Sequence, residues 1–251
     1  MDELLALRGI YKSYHRGERR LRVLADVSLT VSAGEIVAVV GSRYEGKTTL
    51  LKIAAGLEQP DAGEVWLGDS ELTRLPTRER ERFWGHEIAW IHREGTGLQF
   101  EVLDYVCLPL RMGRGRPREA EEQAMATLKR VGVQDAARRR WEELSNWERV
   151  LVAFARGIVS RPRLMVIDDV IDGLGMSKTH EAGELLCSLA AELECGVLMS
   201  VSDPEAALAA VRMWSFEHGR LKLLSDQTDN VIDFPNDSGI RQSRGSTGAG
   251  S

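Results

Sequence analysis

The sequence lacks several features that would place it quickly in a familiar class. It has no run of about 18 apolar residues, so we expect no membrane-spanning helix. Its formal net charge of −5 gives no support to nucleic-acid binding, and no nucleic-acid partner is expected. Its three cysteines lie in apolar surroundings without metal-site spacing, which favours buried structural thiols. The first ten residues contain no basic n-region, so we expect no signal peptide.

Charged and polar residues are unevenly distributed along the chain. Basic residues cluster in three places where we expect solvated faces or helix C-termini, with contact to a membrane-embedded partner as the alternative: Arg16–Arg22, Arg111–Arg118 and Arg138–Arg140. From Ser225 onward the chain loses apolar residues and is rich in Ser, Gly, Asp and Asn. This composition predicts a disordered C-terminal tail over residues 225–251.

Apolar periodicity predicts strands that alternate with helices. Alternating or β-branched runs predict a strand, a turn and a second strand within Val23–Val40, then strands at Glu64–Leu67, Ile88–Ile91, Leu164–Ile167 and Val197–Val201, and a hairpin of Met213–Phe216 with Arg220–Leu224. Helical spacing predicts a helix from Thr48 to Gly56, and others at Arg78–Trp84, Pro117–Val131, Ser145–Ile158, Thr179–Leu193 and Pro204–Val211. This order predicts an α/β fold with a largely parallel core sheet.

A phosphate-loop motif follows the most apolar predicted strand. Residues Gly41–Thr48 fit the pattern G-x-x-x-x-G-K-[ST], between the strand Ile36–Val40 and the next helix. The glycines let the backbone wrap a phosphate, and the N–H groups and helix N-terminus favour an anion. In such a motif Lys47 reaches the terminal phosphates and Thr48 ligates Mg²⁺. A fortuitous glycine-rich turn is the alternative, but the strand–loop–helix context argues against it.

A second predicted strand ends in carboxylates. Leu164–Ile167 is apolar up to Asp168 and Asp169. Ligands of open α/β sheets bind at the carboxyl ends of the strands, so Asp168 is expected to hold a magnesium ion beside the phosphate loop. The two motifs together predict a site for phosphate groups and Mg²⁺.

With both motifs in place, the chain from Leu4 to Leu224 resembles an ABC transporter ATP-binding subunit. Segments similar to the family are Val23–Gly41, Gly56–Gly68 and Leu144–Asp169, and two segments are most similar to the lipoprotein-releasing, macrolide-exporting and cell-division ATPases: Leu72–Phe83 and Tyr105–Gly113. The resemblance implies an α/β P-loop NTPase fold with a RecA-like core, an antiparallel β subdomain and a helical subdomain. It places the nucleotide-binding domain at residues 1–224, with the helical subdomain at about 77–160.

The resemblance also implies a role for each motif position. The nucleotide is bound by Gly41, Ser42, Arg43, Tyr44, Glu45, Gly46, Lys47, Thr48 and Thr49, and Mg²⁺ by Thr48 and Asp168. Tyr14 stacks on the adenine, with an ordinary strand aromatic as the alternative. The family signature, which contacts the nucleotide of a second subunit, is Leu144, Ser145, Asn146, Trp147 and Glu148.

The implied partners are a second ABC ATPase subunit and a transmembrane permease, which would dock around residues 93–110. The protein would then lie peripherally on the cytoplasmic face of the inner or plasma membrane.

Several positions depart from the family pattern. The catalytic base, normally Glu, is Asp169, which shortens the side chain by about one methylene, and a base misplaced by about 1 Å can cost about 100-fold in rate. The switch histidine is replaced by Ser202, which is too short to reach the γ-phosphate in the same way. The glutamine that contacts Mg²⁺ is Arg93, or His92 if the alignment slips by one residue, and an arginine cannot ligate Mg²⁺.

The signature and the phosphate loop are altered too. Trp147 is expected to put a large side chain where the partner's phosphate should lie, and Glu148 adds negative charge, which predicts a weak signature face. Within the phosphate loop, Tyr44 replaces a glycine and Glu45 a small residue. A carboxylate beside a triphosphate is unfavourable unless Glu45 points outward or pairs with Arg43.

Three hypotheses follow. The first is a degenerate ATP-binding subunit that hydrolyses ATP poorly and pairs, preferably as a heterodimer, with a competent ATPase. The second is a slow but genuine homodimeric ATPase with Asp169 as its base. The third is a structural or regulatory scaffold that binds no nucleotide.

Overall fold

The computed structural model describes residues 3–17, 19–84, 86–92, 100–112, 116–207 and 209–227. The strands are β1 (Glu3–Arg16), β2 (Arg19–Ser32), β3 (Ile36–Val40), β4 (Ala62–Leu67), β5 (Ser70–Glu71), β6 (Ile88–His92), β7 (Leu164–Asp168), β8 (Gly196–Val201), β9 (Arg212–Glu217) and β10 (Arg220–Asp226). The α-helices are α1 (Lys47–Ala54), α2 (Thr77–Arg80), α3 (Val102–Met112), α4 (Pro117–Arg130), α5 (Asn146–Ile158) and α6 (Met176–Leu193).

Four strands form an antiparallel sheet in the order β2-β1-β4-β5. From Ala25 to Val31, β2 alternates buried and more exposed residues, the pattern of a strand with one face on a core. That face packs with α1, whose Leu50, Leu51 and Ile53 are fully buried in the same cluster. The sheet therefore covers the helix that follows the phosphate loop.

The larger sheet has six strands in the order β10-β9-β3-β8-β7-β6, and only the β9–β10 pair is antiparallel. All five residues of β3 are buried. Val37 and Val39 join the cluster around α1, whereas Ile36, Ala38 and Val40 join the cluster that contains α5 and α6. A strand covered on both faces needs apolar side chains at every position, which explains the unbroken I-V-A-V-V run. The predicted α/β fold with a largely parallel core sheet is confirmed.

Helices α3, α4 and α5 pack on one another, and α5 packs on β6. The contact between α5 and β6 needs a glycine, because a Cβ atom at Gly157 would lie 2.2 Å from Cδ1 of Ile91. β6 lies within residues 77–160 but belongs to the six-stranded sheet. The extent of a helical subdomain therefore stays a prediction, with its helical part at α3–α5.

A buried ion pair joins the two sheets. The guanidinium of Arg212 donates from Nε to Glu35 Oε1 at 2.5 Å and from Nη2 to the carbonyl of Thr30 at 2.8 Å. Glu35 Oε2 also accepts the backbone N–H of Ser32 at 2.8 Å. The ion pair thus ties the end of β2 to the start of β9.

Some local predictions are wrong. The helix predicted at Arg78–Trp84 ends at Arg80, since the indole N–H of Trp84 bonds the carbonyl of Ala55 at 2.9 Å and draws the chain towards the core. The helix predicted at Pro204–Val211 is only a 3₁₀ turn at Pro204–Ala207, because Val211 already pairs with Ile36 in the sheet.

Two further differences concern helix α3 and the tail. The sequence did not predict α3, whose internal Pro109 is a poor helix residue. The tail was predicted to begin at Ser225, but Ser225 and Asp226 pair with β9 as part of β10. Residues 228–251 of the predicted tail lie outside the described residues.

Candidate functional site

The phosphate loop connects β3 to α1 at the carboxyl end of the parallel strands. Gly46 has φ +115°, and a Cβ atom there would lie 2.5 Å from Cγ1 of Val23. At Gly41 a Cβ atom would lie 2.9 Å from the carbonyl oxygen of Phe216. Both positions therefore require glycine, and the loop keeps the frame that the motif predicts.

Lys47 is the buried cation of this loop, with 4% of its surface exposed. Its Nζ donates to the carbonyl oxygens of Gly41 at 2.6 Å and Ser42 at 3.1 Å, and lies 3.9 Å from Oδ1 of Asp169. The ammonium is held against the loop by the backbone, where it can meet an anion.

The residues expected to hold Mg²⁺ meet at the start of α1. Thr48 Oγ1 donates to Oδ1 of Asp168 at 3.2 Å. A hydroxyl and a carboxylate are ligands that Mg²⁺ accepts, and Mg²⁺ is commonly bound by one or two carboxylates together with substrate phosphates. The donor set therefore fits a magnesium–triphosphate complex.

The altered residues of the loop keep its backbone shape. Tyr44 has φ +67°, a left-handed conformation that glycine adopts without strain, and its side chain is fully exposed. Among the described residues Glu45 forms no ion pair with Arg43, so that suggested rescue is wrong, and the side chain is only partly buried. Instead its Oε2 accepts the backbone N–H of Ser42 at 2.8 Å. The carboxylate is thereby engaged within the loop.

Tyr14, predicted to stack on the adenine, has its hydroxyl close to Thr49 of α1. Its hydroxyl donates to Oε1 of Glu58 at 2.6 Å and lies 3.3 Å from Oγ1 of Thr49. Burial, and next the hydrogen bond to Glu58, raise the pKa of Tyr14. About 38% of the residue stays exposed, so the ring is tethered at its tip while part of it faces solvent.

Asp169 stands at the position of the catalytic base with a left-handed backbone, φ +49°. Its Oδ1 lies 3.0 Å from the hydroxyl oxygen of Ser200 and 3.9 Å from Nζ of Lys47. Burial raises the pKa of Asp169, and the charge of Lys47 partly opposes that rise. The Asp169 carboxylate therefore bonds the Ser200 hydroxyl and faces the ammonium of Lys47.

Ser202, at the switch position, is exposed and lines a groove of about 870 Å³ together with Arg43 and Asp172. Its backbone N–H donates to Oδ1 of Asp172 at 3.2 Å. The groove continues from the phosphate loop along the start of α6. Ser202 therefore shares a groove with Arg43 of the phosphate loop and carries only a short hydroxyl.

The signature residues form the N-terminus of α5. Leu144 is buried and Asn146 exposed. Ser145 is the N-cap, and Glu148 Oε2 accepts its N–H at 2.8 Å and its hydroxyl at 2.7 Å. Oε1 of Glu148 accepts from Nη1 of Arg139 at 2.6 Å. The hydrogen bond from the Ser145 backbone N–H is the main reason why the pKa of Glu148 is lowered, so the carboxylate is ionised at neutral pH.

Trp147 packs partly against the core, and the ammonium of Lys178 in α6 lies 4.5 Å from its ring centroid. This is a cation–π contact between the first turns of two helices. The indole therefore bridges α5 and α6 at the signature end of the domain.

Comparisons with known proteins decide the family. A family model described as ABC transporter matches residues 24–172. The chain belongs to the ABC transporter family. It is 32% identical over 219 residues to the lipoprotein-releasing system ATP-binding protein LolD of Pseudomonas fluorescens, covering 87% of this chain and 96% of that protein. It is 34% identical over 220 residues to the LolD protein of Chromohalobacter salexigens, covering 87% and 92%.

The solved structures agree with this assignment. The dimeric post-hydrolysis state of an ATP-binding cassette bound to ADP and Pi superposes with a TM-score of 0.80 at 25% identity, covering 87% of this chain and 96% of that one. The P-loop NTPase fold of an ABC ATPase is thus confirmed, and the chain is an ABC transporter ATP-binding subunit. ABC ATPases as a family use ATP and Mg²⁺ and act with permease subunits. In the part of the chain that the structure describes, no helix combines the length and apolarity needed to cross a membrane.

The ABC fold brings most of the predicted site together. The phosphate loop, Asp168, Asp169 and Tyr14 converge around Lys47 and Thr48. In the described residues, no hydrogen bond or ion pair connects the signature with this group. Arg93 lies outside the described residues, whereas His92 is in register with Asp168 and lines a separate cleft.

Three residues of this ABC site were missed from the sequence: Ser200, Glu58 and Arg139. Ser200 had a signal, since it is the one polar residue within the strand Gly196–Val201. The other two had none, because Glu58 meets Tyr14 from 44 positions away and Arg139 meets Glu148 across a turn that no motif describes.

Proposed function

We propose that this chain is a degenerate ATP-binding subunit of a membrane ABC transporter complex. It binds ATP with Mg²⁺ at the phosphate loop, hydrolyses it poorly, and pairs with a permease and with a competent ATPase subunit. The observation that carries the proposal is the arrangement around Asp169. This shortened carboxylate contacts Ser200 and faces Lys47 instead of standing free as a base.

Nucleotide binding is supported by the preserved frame, and it requires the Glu45 carboxylate to release the Ser42 N–H to a phosphate oxygen. Gly41 and Gly46 allow the tight loop, Lys47 offers a buried cation, and Thr48 with Asp168 supplies the magnesium ligands. Bound Mg²⁺ would neutralise part of the phosphate charge. Tyr14 would contribute an aromatic surface for the base, tethered to Glu58.

Poor hydrolysis is supported by the residues that would activate water. A general base must come within hydrogen-bond reach of the attacking water. Asp169 is shorter than the family's glutamate, and Ser202 replaces the histidine that would contact the γ-phosphate. Each loss lowers the rate of the chemical step without removing the phosphate-binding loop.

A competent partner is supported by the state of the signature. Helix N-termini bind anions through their free N–H groups and their dipole. In α5 the carboxylate of Glu148 already bonds the N-cap residue Ser145, and it would repel a phosphate brought by a second subunit. A homodimer would therefore combine a poor catalytic set with a poor signature at both sites. In a heterodimer with a competent cassette, one site would contain the poor catalytic set and the other site the poor signature. We therefore favour the heterodimer.

Permease docking is supported by a cleft of about 240 Å³ between the core sheet and α3. Its apolar lining includes Leu57, Trp84, Trp90, Pro109 and Met112, of which Met112 is 84% exposed. Large exposed apolar side chains around a groove mark a protein interaction site. Of the predicted docking region at residues 93–110, Pro109 lines this cleft, and residues 93–99 lie outside the described residues. We propose that the chain docks there from a peripheral position on the cytoplasmic face of the membrane. The LolD relatives are named for a lipoprotein-releasing system, and we propose a system of that type for this chain.

The proposal is tested by titrating the purified chain with a fluorescent ATP analogue and by measuring its phosphate release. We expect saturable binding that needs Lys47 and phosphate release near background. Failure to bind in the presence of Mg²⁺ would favour the nucleotide-free scaffold. Fast phosphate release that is abolished by Lys47→Ala would contradict the proposal.

The raised pKa of Asp169 keeps a second function open, that of a slow homodimeric ATPase, because bases are often carboxylates with raised pKa values. The test is Asp169→Asn in the assembled complex. A large fall in turnover supports the slow ATPase, and unchanged turnover removes it.

A further inference from the structure

A buried serine lies beneath both carboxylates at the end of β7. Ser200 is fully buried in β8, and the parallel register places it opposite Asp168. Its hydroxyl oxygen lies 2.8 Å from Oδ1 of Asp168 and 3.0 Å from Oδ1 of Asp169. It also accepts the backbone N–H of Asp169 at 3.0 Å. No motif position of the ABC family described above includes this hydroxyl.

The hydroxyl has only one proton, and its neighbours determine where that proton goes. A serine hydroxyl offers one donor and two acceptor lone pairs. Since one lone pair accepts the N–H of Asp169, the proton is directed towards the carboxylates. The shorter of the two contacts is to Oδ1 of Asp168, the same oxygen that Thr48 meets at 3.2 Å. Ser200 and Thr48 therefore both bond the same oxygen of Asp168.

A second buried serine in the same sheet shows the ordinary arrangement. Ser215 in β9 donates its hydroxyl to the carbonyl of Lys222 at 3.3 Å, a contact between neighbouring strands. Ser200 instead has two carboxylates at the end of the strands within reach of its single hydroxyl proton, with Asp168 the nearer. Hydrogen bonds to charged groups are stronger than those to neutral ones, so losing this hydroxyl should change the carboxylates more than the sheet.

We propose that Ser200 is a positioning residue for the metal-binding carboxylate. It fixes Asp168 beside Thr48 and so determines how strongly Mg²⁺ enhances nucleotide binding. The inference rests on the proposed nucleotide site. A positioning role predicts that loss of the Ser200 hydroxyl weakens nucleotide binding only when Mg²⁺ is present. A packing role predicts the same weakening with and without Mg²⁺.

The test uses the full chain with Ser200→Ala, Ser200→Cys and the control Ser215→Ala. The dissociation constant of a fluorescent ATP analogue is measured in EDTA and in excess Mg²⁺, after thermal unfolding has shown each variant to be folded. We expect Ser200→Ala to reduce the enhancement by Mg²⁺ roughly tenfold, the size typical of one hydrogen bond to a charged group, while affinity in EDTA changes little. Ser200→Cys replaces the hydroxyl with a larger thiol that is only a weak donor, so it should also reduce the enhancement and serves as the second variant if Ser200→Ala does not fold. Ser215→Ala should retain the wild-type enhancement.

The outcomes separate the inference from the proposed function. If the folded Ser200 variants keep the wild-type enhancement, or lose affinity equally in EDTA and in Mg²⁺, the positioning role is overturned while nucleotide binding stands. If the wild-type chain binds no nucleotide in either condition, the proposed function fails and the positioning role falls with it.

Discussion

Lys47 is the phosphate-loop lysine, and its ammonium contacts both the loop backbone and the altered residue Asp169. Its ammonium is held by the carbonyls of Gly41 and Ser42, which leaves it able to face a phosphate. Asp169, 3.9 Å away, supplies an opposite charge from the other side. The sequence predicted the lysine from its motif, but it could not predict that the shortened base would share this charge.

At this scale the first prediction concerns Lys47→Ala. A hydrogen bond to a charged group contributes roughly 1.5–3 kcal/mol, so the variant should bind the ATP analogue about 10- to 100-fold more weakly. The control is Lys52→Ala, since Lys52 lies exposed in the same helix. Equal affinities of the two variants would show that the phosphate loop does not bind the nucleotide.

The element α5 illustrates what the sequence pattern can and cannot predict. Its helical spacing from Ser145 to Ile158 was predicted from apolar periodicity and is confirmed. The capping arrangement follows from the S-x-x-E pattern of Ser145 and Glu148, although the sequence suggested only that Glu148 adds charge. The bond from Arg139 spans nine positions, which include the 3₁₀ turn Trp141–Glu143 and the start of α5, and it had no local signal.

A pH-dependent prediction concerns Glu148→Gln. The pKa of Glu148 is lowered in the folded chain by Ser145 and Arg139, so its contribution to stability is present above the unfolded pKa. That contribution is lost as the pH falls through the lowered pKa. The difference in unfolding free energy between wild type and Glu148→Gln should therefore be larger at pH 7 than at acid pH.

The difference is measured by urea unfolding across that pH range. Glu142→Gln is the matched control, because Glu142 is exposed on the preceding turn. A difference independent of pH would contradict the proposed charge contacts of Glu148.

The contact between α5 and β6 gives a third prediction. Gly157→Ala would place its Cβ atom 2.2 Å from Ile91 Cδ1, and such overpacking typically costs about 1–3 kcal/mol. Gly183→Ala in α6 is the control, since its Cβ atom would lie at an ordinary 3.4 Å from Ala209. It should be neutral or stabilising by up to about 1 kcal/mol, because alanine favours helix. Thermal unfolding of both variants decides, and a stable Gly157→Ala would contradict the described packing.

At the scale of the whole molecule, strand order explains why distant motifs form one site. β3, β7 and β8 are parallel neighbours, so the phosphate loop, Asp168 and Ser202 all follow their carboxyl ends. This part of the site could be predicted from the sequence, because each motif follows an apolar strand. Tyr14 reaches the same place through the antiparallel sheet. Its tether to Glu58 depends on the packing of that sheet against α1, which no local pattern encodes.

The whole molecule also indicates which role the chain would have in a transporter complex. Under the proposed function, the chain combines the glycine and lysine frame of a phosphate loop with an altered base, switch and signature, and it exposes an apolar cleft beside α3. These features suit a subunit whose binding of ATP matters more than its turnover. A competent second cassette would supply the hydrolysis.

The most direct measurement is the chemical identity of the bound nucleotide. The purified chain is incubated with radiolabelled ATP and Mg²⁺, separated from free nucleotide, and its bound fraction is analysed alongside Lys47→Ala. We predict that wild type retains ATP with little ADP and that Lys47→Ala retains much less nucleotide. Rapid conversion to ADP by the wild-type chain, lost in Lys47→Ala, would contradict the account.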